Sequence, residues 1–151
     1  VNVLVVNGPN LNLLGEREPH IYGRKTLRDL EREVGAHARK LRMRVRFFQS
    51  NHEGAIVDEL HRLRKWADAV VINPAAFTHY SYSIRDALLA VALPAAEVHL
   101  SDVDNREGDF RKISVVRDVC KHRFTGAGIG SYLQALDAFA ADRAAAKKKR
   151  R

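Results

Sequence analysis

The sequence has 151 residues, room for one ordinary domain and not for two. Hydrophobic residues make up 46% of it, which excludes wholesale disorder, and no apolar run approaches the ~20 residues a bilayer span needs. A single cysteine, Cys120, excludes an internal disulfide and any multi-cysteine metal site. The formal charge is +8, but five of the positive charges form the terminal run 147–151. Such a run reads as a solvated basic tail rather than a nucleic-acid arm.

The chain opens with Val1-Asn2-Val3-Leu4-Val5-Val6, which lacks the basic stretch and small-residue cleavage site of a secretory signal. It reads as a strand, and a reducing cytoplasm is the expected compartment. Residues 2–6 are continuously apolar, as in a strand buried on both faces of a parallel sheet. Leu27, Leu30, Val34, Ala38 and Leu41 follow at helical spacing, with Thr26 and Asp29 forming a capping-box pattern at the start. Val45-Arg46-Phe47-Phe48 predicts a second strand. Ile56, Leu60, Leu63 and Ala67 mark a second helix, with Asn51 as its expected N-cap. Ala69–Ile72 is a third strand halted by Asn73-Pro74. Ile84, Leu88 and Val91 form a helical stripe that ends before Pro94. Ala95–Leu100 reads as a fourth strand, and 101–112 as a polar loop. Apolar residues resume near Val115 and again at Arg123–Thr125, the expected fifth strand, before a last helical stripe at Tyr132, Leu133, Leu136, Phe139 and Ala140.

This alternation implies an α/β fold with right-handed crossovers, a doubly wound parallel sheet. Five strands suit the flavodoxin-like order 2-1-3-4-5. The expected organisation is one catalytic domain over 1–146, with a lid loop at 7–24 and a disordered basic tail at 147–151. In such sheets the ligand site lies beyond the carboxyl ends of the strands. Polar residues collect there: Asn7-Gly8-Pro9-Asn10 after the first strand, Gln49-Ser50-Asn51-His52 after the second, Asn73 after the third and His99-Leu100-Ser101 after the fourth. Amides, hydroxyls and imidazoles in that position suit a small polyhydroxylated or carboxylated ligand.

Several residues could carry chemistry. The loop after the first strand is long for its type, and Arg17 and Tyr22 could meet across Pro19; a guanidinium beside a phenol favours the phenolate. A surface cation–π contact is the alternative. Glu97 and His99 stand two apart on a strand and share a face. A carboxylate there can orient an imidazole for general-acid work, or the pair can be structural. His79 could cap a helix or bind ligand, and Asp86 could be a solvated helix charge. Arg106 and Arg111 could meet a carboxylate or hydroxyls, or be solvated. There is no metal-ligand spacing and no Gly-rich phosphate loop of standard form.

Taken together, the blocks Asn7–Gly15, Arg17-Glu18-Pro19, Tyr22-Gly23, Gln49–Gly54, Asn73–His79, Glu97–Ser101, Arg106-Glu107, Phe110-Arg111 and Gly126-Ala127-Gly128 resemble the type II 3-dehydroquinate dehydratases of the shikimate pathway. The blocks keep that family's order and spacing up to the basic tail. The resemblance implies a flavodoxin-like subunit, no cofactor, and reversible dehydration of 3-dehydroquinate to 3-dehydroshikimate through an enolate. It implies Tyr22 as the base, working as phenolate beside Arg17, with Asn10 helping to hold the enolate oxygen. His99, oriented by Glu97, would protonate the leaving hydroxyl. Asn73, His79, Asp86 and Arg111 match substrate-contacting positions, while Leu100 and Ser101 would meet the carboxylate through backbone N–H groups and a hydroxyl. A homo-oligomer of four trimers is implied, with Asp86 reaching a neighbouring subunit's site, and neither a membrane nor a specific nucleic acid as partner. One departure is the stretch Arg106–Arg111, a residue longer than the usual pattern: either arginine is in register, or a bulge at Gly108 keeps both, and Phe110 favours Arg111. The alternative is a flavodoxin-like binding or signalling module without dehydratase activity. Asn7 and Asn73 stand where a receiver needs acidic residues, and Gly8-Pro9-Asn10-Leu11 is not a hydroxyl-rich flavin phosphate loop.

Overall fold

Parallel strands buried on both faces need helices on both sides. That arrangement is present in the computed structural model, which describes residues 1–151 except for the side chain of Tyr22. Five parallel strands, β1 (Asn2–Asn7), β2 (Arg44–Gln49), β3 (Ala69–Asn73), β4 (Ala95–His99) and β5 (His122–Thr125), form one sheet in the order 2-1-3-4-5. The helices are α1 (Pro19–Tyr22), α2 (Leu27–Lys40), α3 (Glu53–Leu63), α4 (Tyr82–Val91) and α5 (Gly130–Lys149). The three central strands are buried almost throughout, while the edge strands β2 and β5 are only partly covered.

Strand alternation divides the apolar side chains into two cores. Val3, Val5, Val71, Ala96 and Val98 pack with Leu30, Val34, Tyr132 and Leu136 under α2 and α5. Leu4, Val6, Val70 and Ile72 pack with Ile56, Leu60, Ile84 and Leu88 under α3 and α4. Each fully buried aliphatic side chain of this kind contributes roughly 1.5–3 kcal/mol. The Thr26–Asp29 capping box is formed in full, and Asp29 is held below its usual range chiefly by the Thr26 backbone N–H.

Two local expectations are corrected. Asn51 does not cap α3: His52 occupies the cap position, and the Asn51 Oδ1 instead accepts from the Asn10 backbone N–H at 2.9 Å. The segment 147–149, expected to be disordered, continues α5 to Lys149. Alanines at 144–146 are the best helix formers, and lysines in the last turn suit the negative end of the helix dipole. The expected lid loop contains a 3-10 turn at Leu11–Leu13 and the short helix α1.

A buried polar bridge ties the two central strand ends to α5. The Tyr132 hydroxyl, fully buried, donates to Asn7 Oδ1 at 2.6 Å and accepts from Asn73 Nδ2 at 2.9 Å. Burial pushes its ionisation up, so it stays a neutral phenol. Among the described residues, Asn7 Nδ2 is buried without a partner. Replacing Tyr132 by Phe strands two more amide groups, and the loss expected in urea unfolding at matched protein concentration is about 1–3 kcal/mol. An unchanged midpoint would contradict the bridge.

Candidate active site

The floor of the site is a charge with no exposed surface. Glu97 and His99 alternate to the same face of β4, and their side chains meet at 2.7 Å, Nε2 to Oε1. Glu97 is 0% exposed and His99 5%. Oε1 also accepts from the Thr78 hydroxyl at 2.5 Å, and Oε2 from the Ser114 hydroxyl at 2.9 Å and Arg123 Nε at 3.2 Å. Burial by itself would raise the Glu97 pKa. The hydrogen bond and charge of His99, then Thr78 and Arg123, outweigh burial and bring it down from 4.5 to about 2. Glu97 is therefore a carboxylate at neutral pH, and with Nε2 turned toward it, the other ring nitrogen of His99 is left for the cleft.

The walls come from the loops after the strands. Gly8 passes so close to Pro74 that an added Cβ would lie 2.4 Å from its carbonyl oxygen, which excludes any larger residue. This contact, with the Gly8 N–H bonded to the Asn73 carbonyl, seats the first loop against the third. Asn10 then turns into the left-handed region at φ 68°, and Ala75 does so across the cleft at φ 52°. The Ala75 N–H bonds Asn73 Oδ1 at 3.1 Å. Both amide ends of Asn73 are thus engaged, one with Ala75 and one with Tyr132. Arg17 and Arg106 arrive from different loops and converge on Glu18 Oε2, at 3.7 and 3.5 Å.

His79, at the end of the 3-10 helix Ala75–His79, bonds the Ile113 carbonyl through Nδ1 at 2.7 Å. Burial lowers its pKa, the Ile113 carbonyl opposes that, and His99 and Arg111 lower it further. The Phe110 ring meets His79 edge-on at 5.3 Å and carries the Arg111 guanidinium over its face at 4.9 Å. Gly108, at φ 95°, makes the turn that admits this ring: a Cβ there would lie 2.8 Å from it.

Asn10, Arg17, Asn73, His79, His99, Leu100, Ser101 and Arg111 all line one cleft of about 200 Å³ at the carboxyl ends of the strands. Glu97 lies beneath His99. Asp86 is exposed on α4 and does not line the cleft, and the side chain of Tyr22 lies outside the described residues. Arg106 lines the cleft together with Arg111, the arrangement a turn at Gly108 allows. Sequence reading missed Thr78, Ser114 and Arg123 as partners of Glu97. Thr78 adjoins His79 and could have been suspected; Ser114 and Arg123 reach the carboxylate only through folding. Cys120 is half-buried nearby and its thiol is pushed up to about 12, by loss of solvent first and then by the charge of Glu97. Among the described residues no three His, Cys, Asp or Glu side chains are grouped so as to hold a metal ion, and no helix is long and apolar enough to cross a membrane.

A flavodoxin-like sheet with a carboxylate–imidazole floor and amide and guanidinium walls defines an α/β enzyme for a small polar substrate. The chain belongs to the class II dehydroquinases: the family model Dehydroquinase class II matches residues 1–140. It is 50% identical over 133 residues to the 3-dehydroquinate dehydratase of Bacillus pumilus, covering 88% of this chain and 90% of that one. The enzyme of the same name from Thermotoga petrophila is 52% identical over 137 residues, 91% and 93% of the two chains. The crystal structure of type II dehydroquinase from Butyrivibrio crossotus superposes with a TM-score of 0.88 at 44% identity, covering 91% of this chain and 96% of that one.

Because the Glu97 pKa is depressed, the stability it contributes is fully present above about pH 4.5 and is lost as pH falls through about 2. Glu97→Gln is expected to be less stable than the parent at neutral pH, with the gap between their urea midpoints closing between pH 5 and 2. A gap that does not change with pH would contradict an ionised Glu97.

Proposed function

We propose that this dehydroquinase works through an enolate, with Tyr22 as the base and His99 as the acid. As a class II dehydroquinase the chain is a hydro-lyase that converts 3-dehydroquinate to 3-dehydroshikimate. The reaction removes a proton alpha to a ketone, places negative charge on the ketone oxygen, and expels a hydroxyl that must be protonated as it leaves.

The observation that carries the mechanism is the buried Glu97–His99 pair at the floor of the cleft. The carboxylate fixes the orientation of the imidazole, which is what a proton donor to a departing hydroxyl needs. Tyr22 takes the alpha proton as phenolate, with Arg17 favouring the charged form. Asn10 helps hold the enolate oxygen through water, in the manner of an oxyanion stabiliser. Asn73, His79 and Arg111 contact the ring hydroxyls, and the Leu100 and Ser101 N–H groups with the Ser101 hydroxyl receive the carboxylate. The residue types lining the cleft support this distribution of roles. Asp86, exposed on α4, completes the site of a neighbouring subunit in an assembly of four trimers. The chemistry uses no cofactor, and the compartment is the cytoplasm.

The test is a dehydratase assay with 3-dehydroquinate, following the ultraviolet absorbance of the conjugated enone. The parent is expected to turn over, and Tyr22→Phe and His99→Ala each to lose roughly 10²–10⁴-fold in kcat. Turnover surviving Tyr22→Phe would remove Tyr22 as the base, and turnover surviving His99→Ala would remove His99 as the acid.

A further inference from the structure

Glu97 has a second cationic partner besides His99. Arg123 sits on β5 directly opposite Glu97 in the sheet register, so the two side chains leave adjacent strands on the same face. Its Nε donates to Glu97 Oε2 at 3.2 Å. Its two terminal nitrogens grip Asp104 as a fork, Nη1 to Oδ2 at 3.1 Å and Nη2 to Oδ1 at 3.3 Å. Asp104 accepts in turn from Arg117 Nη2 at 3.3 Å. The result is a row of alternating charges, Arg117, Asp104, Arg123 and Glu97, that ends on the imidazole opening into the cleft. Arg123 itself does not line the cleft.

We propose that Arg123, held by Asp104, is a positioning residue for the dehydration: it fixes the Glu97 carboxylate by Oε2, leaves Oε1 to His99, and offsets part of the negative charge under the imidazole. The inference rests on the reading of His99 as the acid. A lone buried carboxylate would bind the imidazolium so strongly that its proton would be slow to leave. A guanidinium on the far oxygen weakens that hold without displacing the carboxylate, and Asp104 sets how much of the guanidinium's charge is felt. Among the described residues, the other titratable or charged groups near the pair are His79 and Cys120, with Arg17, Arg106 and Arg111 lining the cleft onto which His99 opens. The half-buried Cys120 thiol, pushed up to about 12, stays neutral through the working range. His79, lowered mainly by burial, changes charge on the acid side. The alkaline limb of the kcat profile, where the proton donor is lost, is therefore the limb to read.

The experiment compares pH profiles of kcat and KM for the parent, Arg123→Met, Arg123→Lys and Asp104→Asn, with His99→Ala in the same assay. Arg123→Met is expected to lower kcat about tenfold with KM within about twofold, and to move the alkaline limb up by about half a unit or more, because the imidazolium then faces an unopposed carboxylate. Arg123→Lys restores the charge and brings the limb back toward the parent. Asp104→Asn leaves the guanidinium unopposed and moves the limb down. A merely structural role for Arg123 would not move the limb in opposite directions in the two neutralising variants. An unmoved limb in Arg123→Met, or movement of both variants in one direction, would overturn the proposal. If Arg123→Met does not fold, Asp104→Asn decides alone: a lowered limb supports the proposal and an unmoved one overturns it. Turnover persisting in His99→Ala would instead overturn the reading of the acid on which this inference stands.

Discussion

A carboxylate with no exposed surface costs several kcal/mol unless other groups replace the water it has lost. Glu97 is such a group, and much of the site's arrangement follows from satisfying it. Its four partners among the described residues come from four places in the chain: His99 two residues along the same strand, Thr78 after β3, Ser114 in the loop after β4, and Arg123 on β5. No local segment could assemble that set. The 2-1-3-4-5 order does so by placing β4 between β3 and β5, so that the residue buried deepest in the site is reached from both sides. The same contacts that make the charge tolerable also leave His99 one orientation.

The cleft is built from loops under constraint rather than from regular elements. Asn10 and Ala75 both lie in the left-handed region and both line the cleft, and Gly8 allows the first loop to touch the backbone of the third. Positive φ at a non-glycine residue costs of order 1 kcal/mol or more and persists where the surroundings hold it. Here the holding groups are visible: Asn51 Oδ1 on the Asn10 N–H, and Asn73 Oδ1 on the Ala75 N–H. Asn73 is itself anchored through Tyr132 to Asn7, so the first and third loops and the last helix share one hydrogen-bonded core beneath the site.

The fold was legible in the sequence because its signals are local. Continuous apolar runs at 2–6 and 69–72, and a stripe from Leu27 to Leu41 behind a Thr26–Asp29 cap, each state their own structure. Alternation of such units leaves few topologies open, and strand order followed from it. The candidate residues at the strand ends were legible for the same reason. What was not legible depends on long-range partners. Asn51 looks like a helix cap until the Asn10 backbone competes for its carbonyl. Arg123 reads as one polar residue at an uncertain strand until the sheet sets it opposite Glu97. The loop from Arg106 to Arg111 left the choice of arginine open, because only the turn at Gly108 and the ring of Phe110 show how both reach the cleft.

The central claim is that Glu97 is an ionised carboxylate with no exposed surface. The most direct measurement is carbon-13 NMR of protein labelled at the glutamate side-chain carboxyl, titrated through the acid range, with Glu97→Gln identifying the resonance. The account predicts a signal that stays at the ionised position from neutral pH down toward about 2, well below the ordinary carboxylate range. A Glu97 resonance that is protonated at neutral pH, or that titrates at or above the ordinary carboxylate range, would contradict it.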